Sequence, residues 1–590
     1  MQKLKTRLEP KGKMQTKKIK RIFSEVSDSL MQSDLHPVLQ KVLSNRKINS
    51  PEEIEYSLAN LTSFDQLMGI DAAVALIVNA LQQKQKILIV GDFDADGATS
   101  TAVCVRALKM LGHTAVSYLV PNRFDFGYGL SPELVEVACQ DKPDLLITVD
   151  NGISSVQGVQ AARDAGIDVL VTDHHLAGAA LPNANAIVNP NQPGCNFPSK
   201  NLAGVGVIFY VMLALRAALR KMNYFNDKIR EPNMGQLLDL VALGTVADVV
   251  PLDVNNRILV AQGLKRMLSG KACVGIQAIL NIAGRDINRI VSSDLGFAIG
   301  PRLNAAGRLE DMSLGIECLI TDDANQAMGI AQQLDQLNVS RREIEQKMQQ
   351  QAMKSLQHLE ASMSQAELPY GICLYDGDWH QGVIGILASR IKEKFNRPVI
   401  VFANDNETLI KGSARSIKGL HIRDVLESIS TQNPGMLIKF GGHAMAAGMT
   451  IKKADFKKFE SAFNAQVKKL LDDDALQGVI ESDGELQGED FGLSLAESIR
   501  NAGPWGQCFV EPTFDGDFEV IDWRVVGEKH LKMELQSPDA EQPISAIAFN
   551  APATLMQESD GYIHAAYRLD VNEFRNKKTA QLIVEYFETI

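Results

Sequence analysis

Ile87-Leu88-Ile89-Val90-Gly91-Asp92-Phe93-Asp94-Ala95-Asp96-Gly97 is the stretch on which the fold turns. Four consecutive apolar residues, three of them β-branched, read as a strand buried on both faces, and such strands belong to parallel sheets covered by helices. The polar run after them leads into a helical pattern over Thr99 to Leu111. The alternation continues: Thr114 to Val120, Leu145 to Val149, Val169 to Val171 and Ala186 to Val188 read as strands, with helical stretches such as Val156 to Ala165 between most of them. This pattern predicts an α/β domain with a parallel sheet. Ligands of such sheets sit beyond the carboxyl ends of the strands. There the sequence places Asp92, Asp94 and Asp96, then Asp150, then Asp173-His174-His175.

At 590 residues the chain has room for about four domains. Residues 201–320 read as mostly helical with glycine-rich interruptions. Ile330, Leu334, Leu337, Ile344 and Met348 fall at helical spacing in a polar stretch from Asp322 to about Leu359, which reads as a long connecting helix. A second, smaller α/β region runs from about Pro369 to Phe463. Leu471 to Asp490 holds eight acidic residues and no Lys or Arg, the mark of a linker or an acidic edge. Beyond it, Phe514–Ile521, Leu531–Leu535, Ile544–Phe549, Tyr562–Leu569 and Leu582–Phe587 read as short strands, a set that suits a small OB-type β-barrel. The divisions are a basic N-terminal tail and lead-in over 1–45, the first α/β domain over 46–320, the connecting helix over 321–365, the second α/β domain over 366–465 and the barrel over 466–590.

Composition narrows the function classes. Sixty basic residues against 71 acidic ones give a net charge of -11, which excludes a wholesale polycation but leaves room for a local basic groove. No apolar run approaches the ~18 residues that a membrane span needs. The seven cysteines lie far apart with no C-x-x-C pair, as in a reduced intracellular protein without disulfides or zinc fingers. Nine of the first 21 residues are Lys or Arg, and Glu9 is the one acid among them. With no apolar segment following, this reads as a mobile basic tail able to graze nucleic acid, and the expected compartment is the cytoplasm.

The D-x-D-x-D-G run from Asp92 looks like a calcium loop, but the twelfth position, which needs a bidentate Glu, is Val103. One Asp there can cap the following helix. Three at alternating positions repel one another unless cations neutralise them. Asp150 before Asn151-Gly152, the pair His174-His175 and Asp248 in Gly244-Thr245-Val246-Ala247-Asp248 are each weak signals alone. Together, carboxylates with imidazole suit Mg²⁺ or Mn²⁺ better than zinc or copper. Paired cations of this kind hydrolyse phosphate esters.

In order and spacing, Gly91 to Gly97, Val149-Asp150-Asn151-Gly152, Asp173-His174-His175 and Asp248 resemble the DHH phosphoesterase superfamily. Gly441-Gly442-His443-Ala444-Met445-Ala446-Ala447-Gly448 is similar to the G-G-H motif of its companion DHHA1 domain. With Gly300-Pro301-Arg302-Leu303-Asn304-Ala305-Ala306-Gly307-Arg308 and the barrel, the resemblance covers about 60–590 and points to the bacterial single-strand exonucleases of that superfamily. It implies a DHH catalytic domain, a DHHA1 domain and an OB-fold DNA-binding domain. It also implies two divalent cations, Mn²⁺ or Mg²⁺: Asp96, Asp150, His174 and Asp248 hold one, Asp94 and the bridging Asp150 hold the other, and Asp92 is a further ligand or supports the ligands from behind. His175 then faces the scissile phosphate.

Around the strand, Ser413 and Arg415 offer a hydroxyl and a guanidinium able to grip one phosphate. On the residues alone a surface turn with one solvated Arg is the commoner explanation; the resemblance reverses that and makes them part of a terminal-phosphate pocket. Arg123, in Pro121-Asn122-Arg123, follows the second strand at the same sheet edge; Arg302 and Arg308 flank Asn304; His443 sits in a glycine-rich segment whose amides can approach an anion. Trp379, His380 and Arg390 also match the family, and Lys418 with Arg423 extends a basic track. Trp505, Phe509 and Phe514 are stacking candidates, although aromatics in a barrel are more often core. Gly503-Pro504-Trp505-Gly506-Gln507-Cys508-Phe509 departs from the family pattern near Cys508.

The implied activity is a single-stranded-DNA-specific 5′→3′ exonuclease releasing 5′-mononucleotides in repair and recombination. It would work as a monomer, helped by single-strand-binding protein and a helicase. Two other readings are a phosphodiesterase of short oligonucleotides or cyclic dinucleotides, and an inactive DNA-binding scaffold. The second would have lost metal ligands, and none is missing here.

Overall fold

The computed structural model describes residues 17–122, 129–362, 369–472, 475–527, 530–551, 561–574 and 577–590. After β1 (Lys18–Arg21) and a helical lead-in, the first sheet is built from β2 (Ile87–Val90), β3 (Val116–Leu119), β4 (Leu145–Val149), β5 (Asp168–Thr172) and β6 (Ala186–Val188). All neighbours are parallel, in the order β3-β2-β4-β5-β6. β2 and β4 are buried along their whole length. Ile87 and Ile89 enter the main core with residues of the helices Ala95–Met110 and Gly204–Lys221, while Leu88 and Val90 pack with residues of Pro132–Gln140 and Val156–Asp164. The chain leaves β2 to build β3 on one side and returns to place β4 on the other. The strand order therefore reverses between β2 and β4, where a crevice opens beyond the carboxyl ends.

The first helix starts at Ala95, four residues ahead of the Thr99 start that the helical pattern suggests. Asp94 caps it: Oδ1 accepts from the N–H groups of Asp96 (2.9 Å) and Gly97 (3.1 Å). Asp and Gly are weak helix formers, so propensity alone hides a first turn that lies inside the acidic motif.

The connecting helix, Ala324–Ser362, is 39 residues long. Ile330 and Leu334 are buried in the core of the first domain, Met348 and Ala352 in that of the second, so one rod is shared by both. The second domain has a mixed sheet of β7 (Ile372–Tyr375), β8 (Val399–Asn404), β9 (Leu409–Arg415), β10 (Leu437–Gly442) and β11 (Ala446–Lys452), ordered β10-β11-β9-β8-β7. After β12 (Val479–Ser482), the strands β13 (Phe514–Val526), β14 (His530–Gln536), β15 (Ile544–Ala548), β16 (Tyr562–Phe574) and β17 (Lys577–Thr589) close a barrel in the order β13-β14-β15-β17-β16. The expected α/β class, connecting helix and OB-type barrel are all present.

Two expectations are corrected. The end of the basic run is not a mobile tail: β1 pairs in parallel with β12, and Arg21 reaches Asp515 at 2.8 Å and Glu485 at 3.2 Å. Arg46 holds Asp483 through two hydrogen bonds, at 2.8 and 3.0 Å. The acidic stretch is thus not a free linker but the partner of the basic N-terminal arm. Second, Phe509 and Phe514 are each 1% exposed, and Trp505 stacks on Phe509 with ring centroids 4.9 Å apart while its Nε1 donates to the Ile499 carbonyl. Neither phenylalanine can receive a base; these rings are packing. Among the described residues no single helix is long and apolar enough to cross a membrane.

Candidate active site

The site forms where the sheet order reverses. β2 delivers Asp92, Asp94 and Asp96, β4 delivers Asp150, and β5 delivers Asp173, His174 and His175. Asn151 Nδ2 donates to the carbonyls of Val90 (3.1 Å) and Val149 (2.9 Å), which ties the ends of β2 and β4 together. Asp150 itself has φ 62, a left-handed backbone that turns its carboxylate back into the crevice. The helix Gly204–Lys221 approaches so closely that a Cβ on Gly204 would lie 2.6 Å from Asp150 Oδ1. Asp96 caps that helix from across the crevice: its Oδ2 accepts from the Gly204 N–H at 2.6 Å and its Oδ1 from the Val205 N–H at 2.9 Å.

Asp248 follows the carboxyl end of the helix Leu238–Ala247, where the helix dipole repels an anion. The helix end gives the carboxylate no support, and the group that favours its charge is the nearby His175. Burial, reinforced by Asp94, pushes the Asp96 carboxyl up to about 7. Burial and then the charges of Asp96, Asp94, Asp248 and Asp92 push Asp150 well up, and burial with Asp96 and Asp94 does the same to Asp248. The crowding is that of like charges taken out of water.

His174 is the counterpart. Burial, then the neighbouring His175, lowers its pKa to about 4, so the ring is neutral at pH 7 and forms no ion pair. Its Nε2 lies 3.2 Å from Asp150, 3.5 Å from Asp248 and 4.0 Å from Asp96, and this buried nitrogen has no hydrogen-bond partner. A buried neutral imidazole nitrogen facing three carboxylates fits a shared divalent cation, and the donor set of oxygens with one imidazole is that of Mn²⁺ or Mg²⁺. Ligand atoms within 4.8 Å of one another come from Asp92, Asp94 and Asp150, from Asp96, His174 and Asp248, and from Asp150, His174 and His175.

His175 behaves oppositely. Burial works to lower its pKa, but Asp173, whose Oδ1 lies 2.8 Å from His175 Nδ1, prevails and raises it to about 9. Asp173 also accepts from the N–H groups of His174, His175 and Ile153, so it organises the whole turn. Asn189 and Asn191, in Val188-Asn189-Pro190-Asn191 after β6, hold the carbonyls of His175 (2.9 Å) and His174 (2.6 Å). These asparagines, with Asn151, escape a reading of the sequence that looks for charge. Their signal is their place after strands of the same sheet.

The second domain faces this cluster. The His443 ring lies 6.3 Å from that of His175, and burial followed by the His175 charge lowers its pKa. Ser413 and Arg415 end β9, with Arg415 Nη1 donating to Ser413 Oγ at 3.1 Å. Gly385, in the first turn of the helix Ile384–Phe395, lines the same corner: a Cβ there would meet Arg415 Nη2 at 2.9 Å and Ser413 Oγ at 3.0 Å. Burial lowers the pKa of Arg415, and among the described residues no carboxylate lies within ion-pair distance of it. A half-buried guanidinium, a hydroxyl and a helix N-terminus form a corner suited to phosphate.

The remaining basic candidates divide. Arg302 binds Asp335 of the connecting helix (2.8 Å) and donates to the Ala298 carbonyl (2.7 Å), contacts within the protein that suit a structural role. Arg308 Nη1 donates to the Gly382 carbonyl of the second domain at 3.0 Å. Arg123 lies outside the described residues. Trp379 is 6% exposed and part of the second domain's core, Arg390 pairs with Glu345, and Lys418 with Glu481.

Known proteins share the order of these domains. The N-terminal domain of the DHH family matches residues 86–245, the DHHA1 domain matches 368–469 and the RecJ OB domain matches 482–586. The single-stranded-DNA-specific exonuclease RecJ of Haemophilus influenzae is 52% identical over 94% of this chain and 96% of its own length. That of Escherichia coli is 50% identical over 97% and 99%. The crystal structure of Thermus thermophilus RecJ in complex with Mn²⁺ superimposes with a TM-score of 0.79 at 26% identity, covering 97% of this chain and 80% of that one. With half its residues shared along nearly the whole of both curated relatives, and three family domains matched in the same order, the chain belongs to the RecJ family of DHH proteins.

Proposed function

We propose that this chain is a metal-dependent exonuclease that degrades single-stranded DNA from its 5′ end to 5′-mononucleotides. The observation that carries the reading is Asp150, whose carboxylate belongs to one ligand group with Asp92 and Asp94 and to another with His174 and His175. Asp96, Asp150, His174 and Asp248 would hold one Mn²⁺ or Mg²⁺ ion, and Asp94 with Asp150 a second, with Asp92 beside them. Bound there, such a pair activates water and stabilises charge on the attacked phosphate. The naming of the curated relatives as single-stranded-DNA-specific exonucleases, and the Mn²⁺ and Mg²⁺ complexes of the Thermus protein, support this reading.

The chain's own groups supply the rest. Protonated His175, held by Asp173, donates a hydrogen bond to a phosphate oxygen, and His443 approaches the same phosphate from the second domain. Ser413 and Arg415 hold a terminal phosphate, which makes the enzyme act from an end rather than within a strand. Arg123 and Arg308 are further candidates for the strand's backbone. We take the substrate to be prepared by single-strand-binding protein and a helicase in DNA repair and recombination, in the cytoplasm, with the enzyme working as a monomer. We keep the domain divisions that the sequence suggests, with the arm from Lys18 paired to β12 ahead of the barrel.

End-labelled single strands bearing a 5′-phosphate, incubated with Mg²⁺, Mn²⁺ or chelator, test the reading. Mononucleotides should be released only with metal, and Asp150→Ala should abolish release while single-strand binding stays measurable. Digestion of a dinucleotide but not of a long strand would replace it with the short-oligonucleotide phosphodiesterase.

A further inference from the structure

The helix Gly300–Leu309 touches three bodies at once. Asn304 Oδ1 accepts from the Ala95 N–H at 2.8 Å, inside the loop that carries Asp94 and Asp96. One turn on, a Cβ at Gly307 would lie 1.8 Å from the Phe93 carbonyl, so the backbone of the acidic loop rests directly on this helix. At the far end Arg308 Nη1 donates to the Gly382 carbonyl (3.0 Å), and a Cβ at Gly382 would meet the Arg308 carbonyl at 2.6 Å. On its remaining side Arg302 is fastened to Asp335 of the connecting helix. The helix begins after a π-helical turn, Leu295–Ile299, a rare conformation that often marks a functional site.

The geometry points to the helix Gly300–Leu309 as a strut that sets the metal loop, with Asn304 positioning that loop and Arg308 tying the strut to the second domain. The inference rests on the reading of Asp94, Asp96 and Asp150 as metal ligands. Asn304 fixes the peptide between Asp94 and Asp96, and the loop has little freedom of its own because Asp94 Oδ1 is already spent on the amides of Asp96 and Gly97. A ligand carboxylate misplaced by about an ångström forfeits much of its function. Arg308 clamps the same strut to the loop that leads into the helix Ile384–Phe395, whose first turn lines the Ser413–Arg415 corner. The strut thereby joins the metal loop to the phosphate corner by direct contacts at both ends.

Mn²⁺ affinity measured without nucleic acid, by electron paramagnetic resonance on the full chain, separates this role from strand binding. Asn304→Ala should weaken Mn²⁺ binding at least tenfold and lower kcat, with KM for a single strand changed less than twofold. Asn304→Asp, which keeps an oxygen acceptor, should recover most of the affinity. Arg308→Ala, which frees the strut from the Gly382 carbonyl, should weaken Mn²⁺ binding about threefold, and Arg308→Lys should recover part of it. Wild-type Mn²⁺ affinity in both alanine variants would overturn the inference, as would an Asn304→Asp variant as deficient as Asn304→Ala in metal binding. If Asn304→Ala does not fold, the Arg308 pair decides alone. Failure of the nuclease reading would show instead as wild-type protein that leaves single strands intact.

Discussion

The rings of His175 and His443 lie 6.3 Å apart and 25° from parallel, although the two residues belong to different domains. His175 is held protonated by Asp173, while burial and that nearby charge keep His443 neutral. One cation and one neutral imidazole thus face the same space, a pairing suited to moving a proton or hydrogen-bonding a phosphate. His443→Ala should lower the single-turnover rate on single-stranded DNA by about 10²-fold, within the range of a lost acid–base group, and leave Mn²⁺ affinity unchanged. An unaltered rate would remove His443 from the site.

Gly204 is fixed by contact rather than by chemistry. A methyl group there would sit 2.6 Å from Asp150 Oδ1. Gly204→Ala should therefore displace the one carboxylate shared between ligand groups, destabilise the fold by about 1–3 kcal/mol as overpacking does, and cut metal affinity. Calorimetric titration with Mn²⁺ beside thermal melting checks it. Wild-type affinity would mean that the helix can retreat without moving Asp150.

Arg415 and Ser413 discriminate chain ends. A half-buried guanidinium with no carboxylate beside it among the described residues still wants an anion. Arg415→Ala should raise KM for 5′-phosphorylated strands about tenfold or more, with a smaller effect on 5′-hydroxyl strands, since a charged hydrogen bond of roughly 1.5–3 kcal/mol is removed. Arg415→Lys should restore only part, because a lysine lacks the planar fork. Equal losses on both kinds of end would assign Arg415 to structure.

The first sheet and the acids at its strand ends are legible in the sequence. Ile87-Leu88-Ile89-Val90 could only be a strand covered on both faces, and the acids at the strand ends followed from its place in the sheet. The five barrel strands showed in their apolar alternation, and each proved longer or shorter only at its ends. What stayed hidden were relations between distant parts of the chain. No local pattern pairs Lys18 with Val479 or Arg46 with Asp483. Arg302 and Arg308 look alike in sequence, yet Asp335 captures the first and a carbonyl of the second domain the other. Asn151 and Asn304 carry no charge to draw attention, and their importance lies entirely in which backbone groups they meet.

Removing the metal should make stability depend on pH in a definite direction. The folded-state pKa of Asp96 is raised to about 7, and those of Asp150 and Asp248 are raised too. Groups raised in this way favour the fold below the pKa of an unfolded Asp, ~3.9, and that contribution is lost as pH rises through the folded value. Cations that neutralise the cluster cancel the loss. The gap in Tm between Mn²⁺-loaded and chelated protein should therefore widen between about pH 5 and pH 7.5. In chelator at neutral pH, Asp248→Asn should melt above the wild type, because it deletes one of the repelling charges. A constant gap would mean that the carboxylates are neutralised by something other than metal.

Arg46 and Asp483 provide the test of the N-terminal arm. Their side chains are 5% and 3% exposed and bound through two parallel hydrogen bonds, with Arg46 also over the Trp505 ring at 5.4 Å. Removing either partner leaves a buried charge uncompensated, which costs about 3–5 kcal/mol, whereas replacing both by apolar residues of similar size is often nearly neutral. Asp483→Ala and Arg46→Ala should each be strongly destabilising in denaturant melts, and Arg46→Met with Asp483→Leu should be much milder than the sum of the singles. Because the pair joins the arm to the approach of the barrel, the single variants should also speed proteolysis after Lys17, Lys18 and Lys20. If both singles melt like the wild type, the arm is not held by this pair, and the docking of β1 on β12 must rest on the Arg21–Asp515 contact instead.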